Sequence, residues 1–148
     1  MGIVTDFVIA EASEAKTILS EPAPLRRWPG VEAKSIDTIR LSTLAAIISG
    51  KSQDADSVAA YSDTFTFLAS SPDNERHVVL LPADLVNALG RLKADVLPSV
   101  ARAWLKTEEF QADGWWKEND VLEIVQMLHK LAGDAIRANK PMLLYWSL

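Results

Sequence analysis

Side chains that could move protons or attack a substrate are few in this chain. Its 148 residues include two histidines and no cysteine. The missing cysteines remove thiol nucleophiles, thiolate metal ligands and disulfides together. His129 lies beside the apolar stripe of a helical segment, with Val125 and Gly133 at the i−4 and i+4 places where a helical metal site would carry its second ligand. His77 opens a strand-like run and has no companion nearby in sequence. No Gly-x-Ser-x-Gly elbow presents a serine, and the scattered glycines build no phosphate-cradling loop before a helix. Glu108 and Glu109 are adjacent, so on a helix they point about 100° apart and do not converge on one substrate atom. The reading is no catalytic residue, no metal site and no cofactor, which weighs against an enzyme.

Binding chemistry has more support. Residues 110–120 read FQADGWWKEND, placing Trp115 and Trp116 in a polar, Gly-containing stretch. Between residues 108 and 123 stand six acidic side chains against Lys117 alone. The whole formal net charge is −5, so this segment carries all of the excess and the rest of the chain balances. Tryptophan is enriched at interface hot spots, and an acidic rim suits a basic partner. Trp115, Trp116, Glu118 and Asp120 are therefore the candidate contact residues, with one tryptophan expected inward and the other outward. A second candidate is a pocket formed by Arg27, Trp28 and Asp37, where an arginine beside an aromatic face could hold a small anionic ligand or serve a minor enzyme.

These residues need elements to hold them. Residues 3–10, rich in β-branched and aromatic side chains, read as a strand, and Ser13 can cap a short helix that ends at the prolines of SEPAP. Residues 25–30 read as a loop. The segment SIDTIRLSTLAAIISG places Ile36, Ile39, Leu44, Ile47 and Ile48 largely on one helical face, with Ser35 or Asp37 as cap and Gly50 at the stop. Residues 51–57 are polar and read as an exposed turn. Residues 64–69 and 77–81 suit a hairpin around SSPDNE. Pro82 suits the first turn of a helix carrying Leu85, Val86, Leu89 and Leu92, and Asp95 can cap another carrying Trp104. Asp120 and Glu123 have capping-box spacing ahead of the strongest amphipathic run, from Val121 to Ile136. The final PMLLYWSL reads as a strand that is apolar on both faces, to be covered on both or paired with another copy at a sheet edge.

Together these elements predict one α+β domain over residues 1–148, with a small mixed or antiparallel sheet that includes the N- and C-terminal strands and packs with about five helices. The opening residues lack the basic and apolar regions of a secretory signal, and no apolar run is long enough to span a bilayer, so a cytoplasmic setting without membrane partners is expected. Net acidity argues against nucleic acid.

The helix-forming segment SIDTIRLSTLAAIISG and the end LAGDAIRANKPMLLYWSL resemble the YfbM-like family of small bacterial domains of unknown function, through Gly2, Asp37, Leu41, Leu44, Gly50, Ala135 and Leu143-Leu144. The likeness covers about a third of the chain, at its two ends. Where the family pattern has a Lys and a Trp after the helix-leading Asp, this chain has Thr38 and Arg40-Leu41, which puts a family pocket there in doubt. The resemblance implies an α+β fold and a bacterial, cytoplasmic protein, and it implies no mechanism. The leading expectation is a protein–protein interaction module of the immunity or regulatory kind, covering a basic surface on its partner. The runner-up is a small-molecule-binding domain or minor enzyme near Trp28 and Asp37, and a third reading is a homodimer through the C-terminal strand.

Overall fold

In the computed structural model, which describes residues 4–148, the chain is an antiparallel five-stranded sheet with helices on both faces. The strands are β1 (Val4–Ile9), β2 (Gly30–Lys34), β3 (Thr66–Ser70), β4 (Arg76–Leu80) and β5 (Met142–Ser147), in the order β2-β1-β5-β4-β3. The helices are α1 (Ala15–Ser20), α2 (Thr38–Ser49), α3 (Ala55–Ser62), α4 (Ala83–Arg91), α5 (Leu97–Leu105), α6 (Glu108–Asp113) and α7 (Glu118–Ala138). This is the expected α+β arrangement with the first and last strands in one sheet. Residue 3, counted in the first strand, and Gly2, used in the family resemblance, lie outside the described residues.

Alternation along the strands divides the core into two layers. Phe7, Ile9, Val79, Met142 and Leu144 face α2, α4, α5 and α7 and form the larger core with Leu41, Leu44, Leu89, Trp104 and Leu128. Val8, Val78, Leu143 and Tyr145 face the other way, onto Ala15 and Ile18 of α1 and onto Trp28. β5 is covered on both faces, as its continuous apolar sequence requires. It is also paired on both sides, to β1 and to β4, so its edges are taken and the sheet's free edges belong to β2 and β3. β3 carries a register shift between Phe67 and Ala69, an irregularity of the kind that discourages edge-to-edge pairing.

Local chemistry sets both ends of α2 and the end of α7. The Asp37 carboxylate accepts from the Arg40 amide at 2.9 Å, and Gly50 closes α2 in the left-handed region at φ 68°. α7 ends in a Schellman arrangement in which Asn139, at φ 53°, donates to the Ile136 carbonyl while Lys140 donates to that of Ala135.

Several expectations need correction. Ser13 caps nothing: it sits inside a 3-10 turn, Ala12–Glu14, that precedes α1. Residues 51–57 are not all turn, because Asp54 accepts from the Ser57 amide at 2.8 Å and starts α3. α7 begins at Glu118, so Asp120 stands in the third helical position and reaches back to the Lys117 amide at 3.0 Å instead of occupying the cap. The loop at 25–30 gives way directly to β2, an edge strand. It starts at Gly30, where a Cβ would stand 2.1 Å from the Phe7 carbonyl oxygen, so only glycine permits so close a pairing of β1 with β2. α3 and α6, both short, raise the helix number to seven among the described residues.

Candidate functional site

Four aromatic rings run in a column from the core to the surface at the junction of α5, α6 and α7. Trp104, on α5, is fully buried. Its indole N–H lies 3.0 Å from the Arg40 carbonyl oxygen and 3.2 Å from the Thr43 hydroxyl oxygen, fixing the base of the column to α2. Phe110, on α6, meets Trp104 edge-on at 4.9 Å between centroids, and Trp116 meets Phe110 edge-on at 5.0 Å. Trp115 then stacks on Trp116 at 4.2 Å with 22° between planes. Each such pair contributes about 0.5–1.5 kcal/mol beyond the area it buries. The reversal that brings the pair back onto α6 occurs at Gly114, whose φ of 75° glycine adopts without strain.

The two tryptophans divide their roles as expected but not by pointing apart. Trp116 is half-buried against the main core, while Trp115 remains 56% exposed and is held by the ring beneath it. Adjacent side chains in an extended strand point to opposite faces, whereas a left-handed residue just before the pair lets the two rings lie on one side.

Arg40 organises this corner. The residue is 8% exposed, and its guanidinium lies 4.9 Å from the Phe110 ring centre and 6.0 Å from that of Trp116. It donates to the Ser35 carbonyl, to the Glu109 carbonyl at 2.7 Å and to an Asp113 carboxylate oxygen at 2.7 Å. The same oxygen accepts the Trp116 indole N–H at 2.7 Å. The Asp113 carboxyl is consequently held below the usual carboxylate range, mainly by the Trp116 hydrogen bond, with the Arg40 charge and hydrogen bond adding to it against the opposing effect of burial. One carboxylate thus ties α2 to the tryptophan pair. Sequence reading named Trp115 and Trp116 but missed Arg40, Phe110 and Asp113. The signal was an arginine among the inward-facing positions of a helix with no other charged residue.

The acidic rim is assembled more loosely. Glu118 sits 3.4 Å from Arg102 across two exposed side chains, a pairing worth little in water. Asp120 is engaged with the Lys117 amide, and Glu108, Glu123 and Asp120 all face solvent. Trp115, Trp116, Glu118 and Asp120 therefore share one end of the molecule around the first turn of α7.

Of Arg27, Trp28 and Asp37, the first two meet each other and the third is engaged elsewhere. Trp28 is 8% exposed in the smaller core, and its indole N–H donates to Glu14 at 2.6 Å. That bond is the main reason the Glu14 carboxyl is held low. Arg27 lies over the Trp28 ring at 4.8 Å and pairs with Glu21 at 3.3 Å. Asp37 is occupied as the α2 cap.

The histidines also find partners that sequence could not supply. His77 and Ser70 face each other across β3 and β4, with the Ser70 hydroxyl 2.8 Å from Nδ1, while Nε2 lies 3.0 Å from the Asn74 carbonyl. The ring is buried between exposed Phe67 and half-buried Trp146. The pair has the hydrogen-bond reach of a nucleophile and its base, and it follows directly from strand register. His129 hydrogen-bonds through Nδ1 to the Leu89 carbonyl at 2.8 Å, joining α7 to α4. Between α2, α3 and α4 lies a small cavity of about 160 Å³ bordered by Ser42, Ser49, Ser57, Tyr61 and Asp84. There burial, aided by a 3.0 Å hydrogen bond to Asp84, pushes the Tyr61 phenol well above its ordinary value.

No helix among the described residues is long and apolar enough to cross a membrane. Comparison with known proteins returned no family model, no curated protein and no solved structure similar to this chain.

Proposed function

We propose that the end of the molecule carrying Trp115 docks another protein through a basic, partly apolar face, and that the chain works as an interaction module of the immunity or regulatory kind. The observation that supports this reading is a 56% exposed indole held in one orientation by a ring stacked beneath it, within the only segment that carries the chain's excess negative charge. An aromatic anchor whose rotamer is already fixed loses little freedom on binding, which favours it as a hot spot. The free face of Trp115 suits a lysine or arginine of the partner by cation–π attraction, and Glu118 and Asp120 suit further basic groups around it.

The test uses Trp115→Ser and, separately, Glu118→Lys with Asp120→Lys, each as bait beside wild type. Trp115 packs mainly on Trp116 and lies in water on its other side, so Trp115→Ser is expected to leave the fold intact, with a cost of about 1 kcal/mol. Trp116→Ser removes a core contact and the Asp113 hydrogen bond and is expected to destabilise visibly. A partner that the reading requires is basic, is lost with Trp115→Ser, and associates more slowly and with weaker salt dependence after charge reversal. A partner bound equally by all three baits would remove this surface from the interaction.

A further inference from the structure

At the end of the sheet opposite the β3–β4 turn, a cleft of about 510 Å³ opens between the first turn of α4, the last turn of α7 and the start of β3. Its size is in the range of sites for small molecules, roughly 300–1,000 Å³. Leu80, Leu81, Pro82, Val86, Ile136 and Pro141 supply an apolar floor. Ile136 remains 39% exposed here, on a helix whose other large apolar residues are inward. Polar groups, Thr64, Thr66, Asn87 and Asn139, are distributed over the lining.

The charge of the lining sets it apart from the rest of this acidic molecule. No Asp or Glu lines the cleft, and Lys140 is its single charged residue. Lys140 has no ion pair among the described residues. The nearby Glu14 carboxylate, which feels the Lys140 charge, is already committed to the Trp28 indole and the Glu11 amide. The backbone of Lys140 is fixed on both sides: the Schellman closure of α7 holds its amide to the Ala135 carbonyl at 3.0 Å, and Pro141 follows.

We infer that this cleft is a binding site for a small monoanionic ligand with an apolar body, of the aliphatic carboxylate class, its tail on Val86, Ile136 and Pro141 and its carboxylate toward Lys140. The site is independent of the Trp115 surface, and it moves small-molecule recognition away from Trp28 and Asp37 to residues drawn from four separate segments.

Decanoate and decanol, matched in length and differing in charge, are titrated into the 15N-labelled full chain below the concentration at which decanoate aggregates. The amides of lining residues and the calorimetric affinity are followed together. Expected are shifts confined to the cleft lining, about fivefold tighter binding of decanoate than of decanol, near-equal binding of the two by Lys140→Gln, and loss of both in Ala83→Trp, which fills the mouth from an exposed position. The inference is overturned by absence of shifts in the lining, by shifts scattered over the molecule, or by a wild type that does not distinguish acid from alcohol. Sedimentation of the ligand-free protein covers the remaining occupant. A dimer that dissociates in Ala83→Trp would give the cleft to a second copy and overturn the ligand site.

Discussion

Arg40 offers the strictest test of how this molecule is held together. Replacing it with alanine removes donors from the Ser35 and Glu109 carbonyls and the charge opposite Asp113. Both carbonyls belong to half-buried residues, so water can reach them in part, and each loss is expected to cost about 0.5–1.5 kcal/mol. The Asp113 side chain keeps 31% of its exposure and resolvates, so losing the pair itself adds about 1 kcal/mol. One effect works in the opposite direction: Arg40 Nε is buried without a partner, and its removal relieves that penalty. The balance is about 2–3 kcal/mol for Arg40→Ala, and about 1 kcal/mol less for Arg40→Met, which keeps most of the stem in contact with Phe110. For a chain of this size that is a Tm decrease of about 4–12 °C.

Urea unfolding followed by circular dichroism gives the free energies. The Arg40→Met/Asp113→Ala double variant should cost less than the two single changes added, by about 1 kcal/mol, because both remove the same pairing. Arg40→Ala within 0.5 kcal/mol of wild type would refute this account. So would additivity in the double variant, which would mean that Arg40 and Asp113 act independently.

Two further outcomes concern the sheet. Asp6 is 7% exposed with one carboxylate oxygen unpartnered, and burial first, then the charge of Glu32 directly across β2, raises its carboxyl above the ordinary value. A group whose folded value is raised favours the folded state below its unfolded value near 3.9 and loses that contribution as pH rises through the folded value. Asp6→Asn is therefore expected to flatten the fall in stability above about pH 4 and to be more stable than wild type at pH 7. A urea midpoint series over pH 3–8 checks this, and an unchanged slope counts against it. Gly30→Ala places a methyl against the Phe7 carbonyl oxygen and is expected to cost about 3 kcal/mol or more through displacement of β2, measurable by the same unfolding and by loss of amide protection at 30–34.

Elements with chemistry written into adjacent residues were readable from sequence. α2 announces itself through Asp37, its apolar face and Gly50, and β5 through an unbroken apolar run too short for a buried helix. α3 was missed because ADSVAAYS buries only Val58 and has no stripe to detect. β2 was missed because an edge strand reading GVEAK turns only Val31 and Ala33 inward, too short an alternation to detect. The tryptophan pair was readable as a feature, and its stacking was not. Stacking depends on the left-handed Gly114 and on a guanidinium from a helix some 70 positions earlier in the chain, which no local pattern reports. The apolar cleft was invisible for the same reason, since its walls meet only after the sheet has formed.

The central place of β5 has a consequence for how the protein is made. The ribbons β1–β2 and β3–β4 share no pairing with each other; each is joined to the sheet through β5, and Val4 finds its register against Ser147. During translation both ribbons leave the ribosome before the strand that unites them, each with an open edge and an uncovered apolar face. Closing the sheet over so long a stretch of chain is slow compared with forming helices. The nascent chain must therefore stay soluble in two halves until the last strand emerges, and any defect that delays the docking of β5 prolongs the interval in which those edges can pair with another molecule.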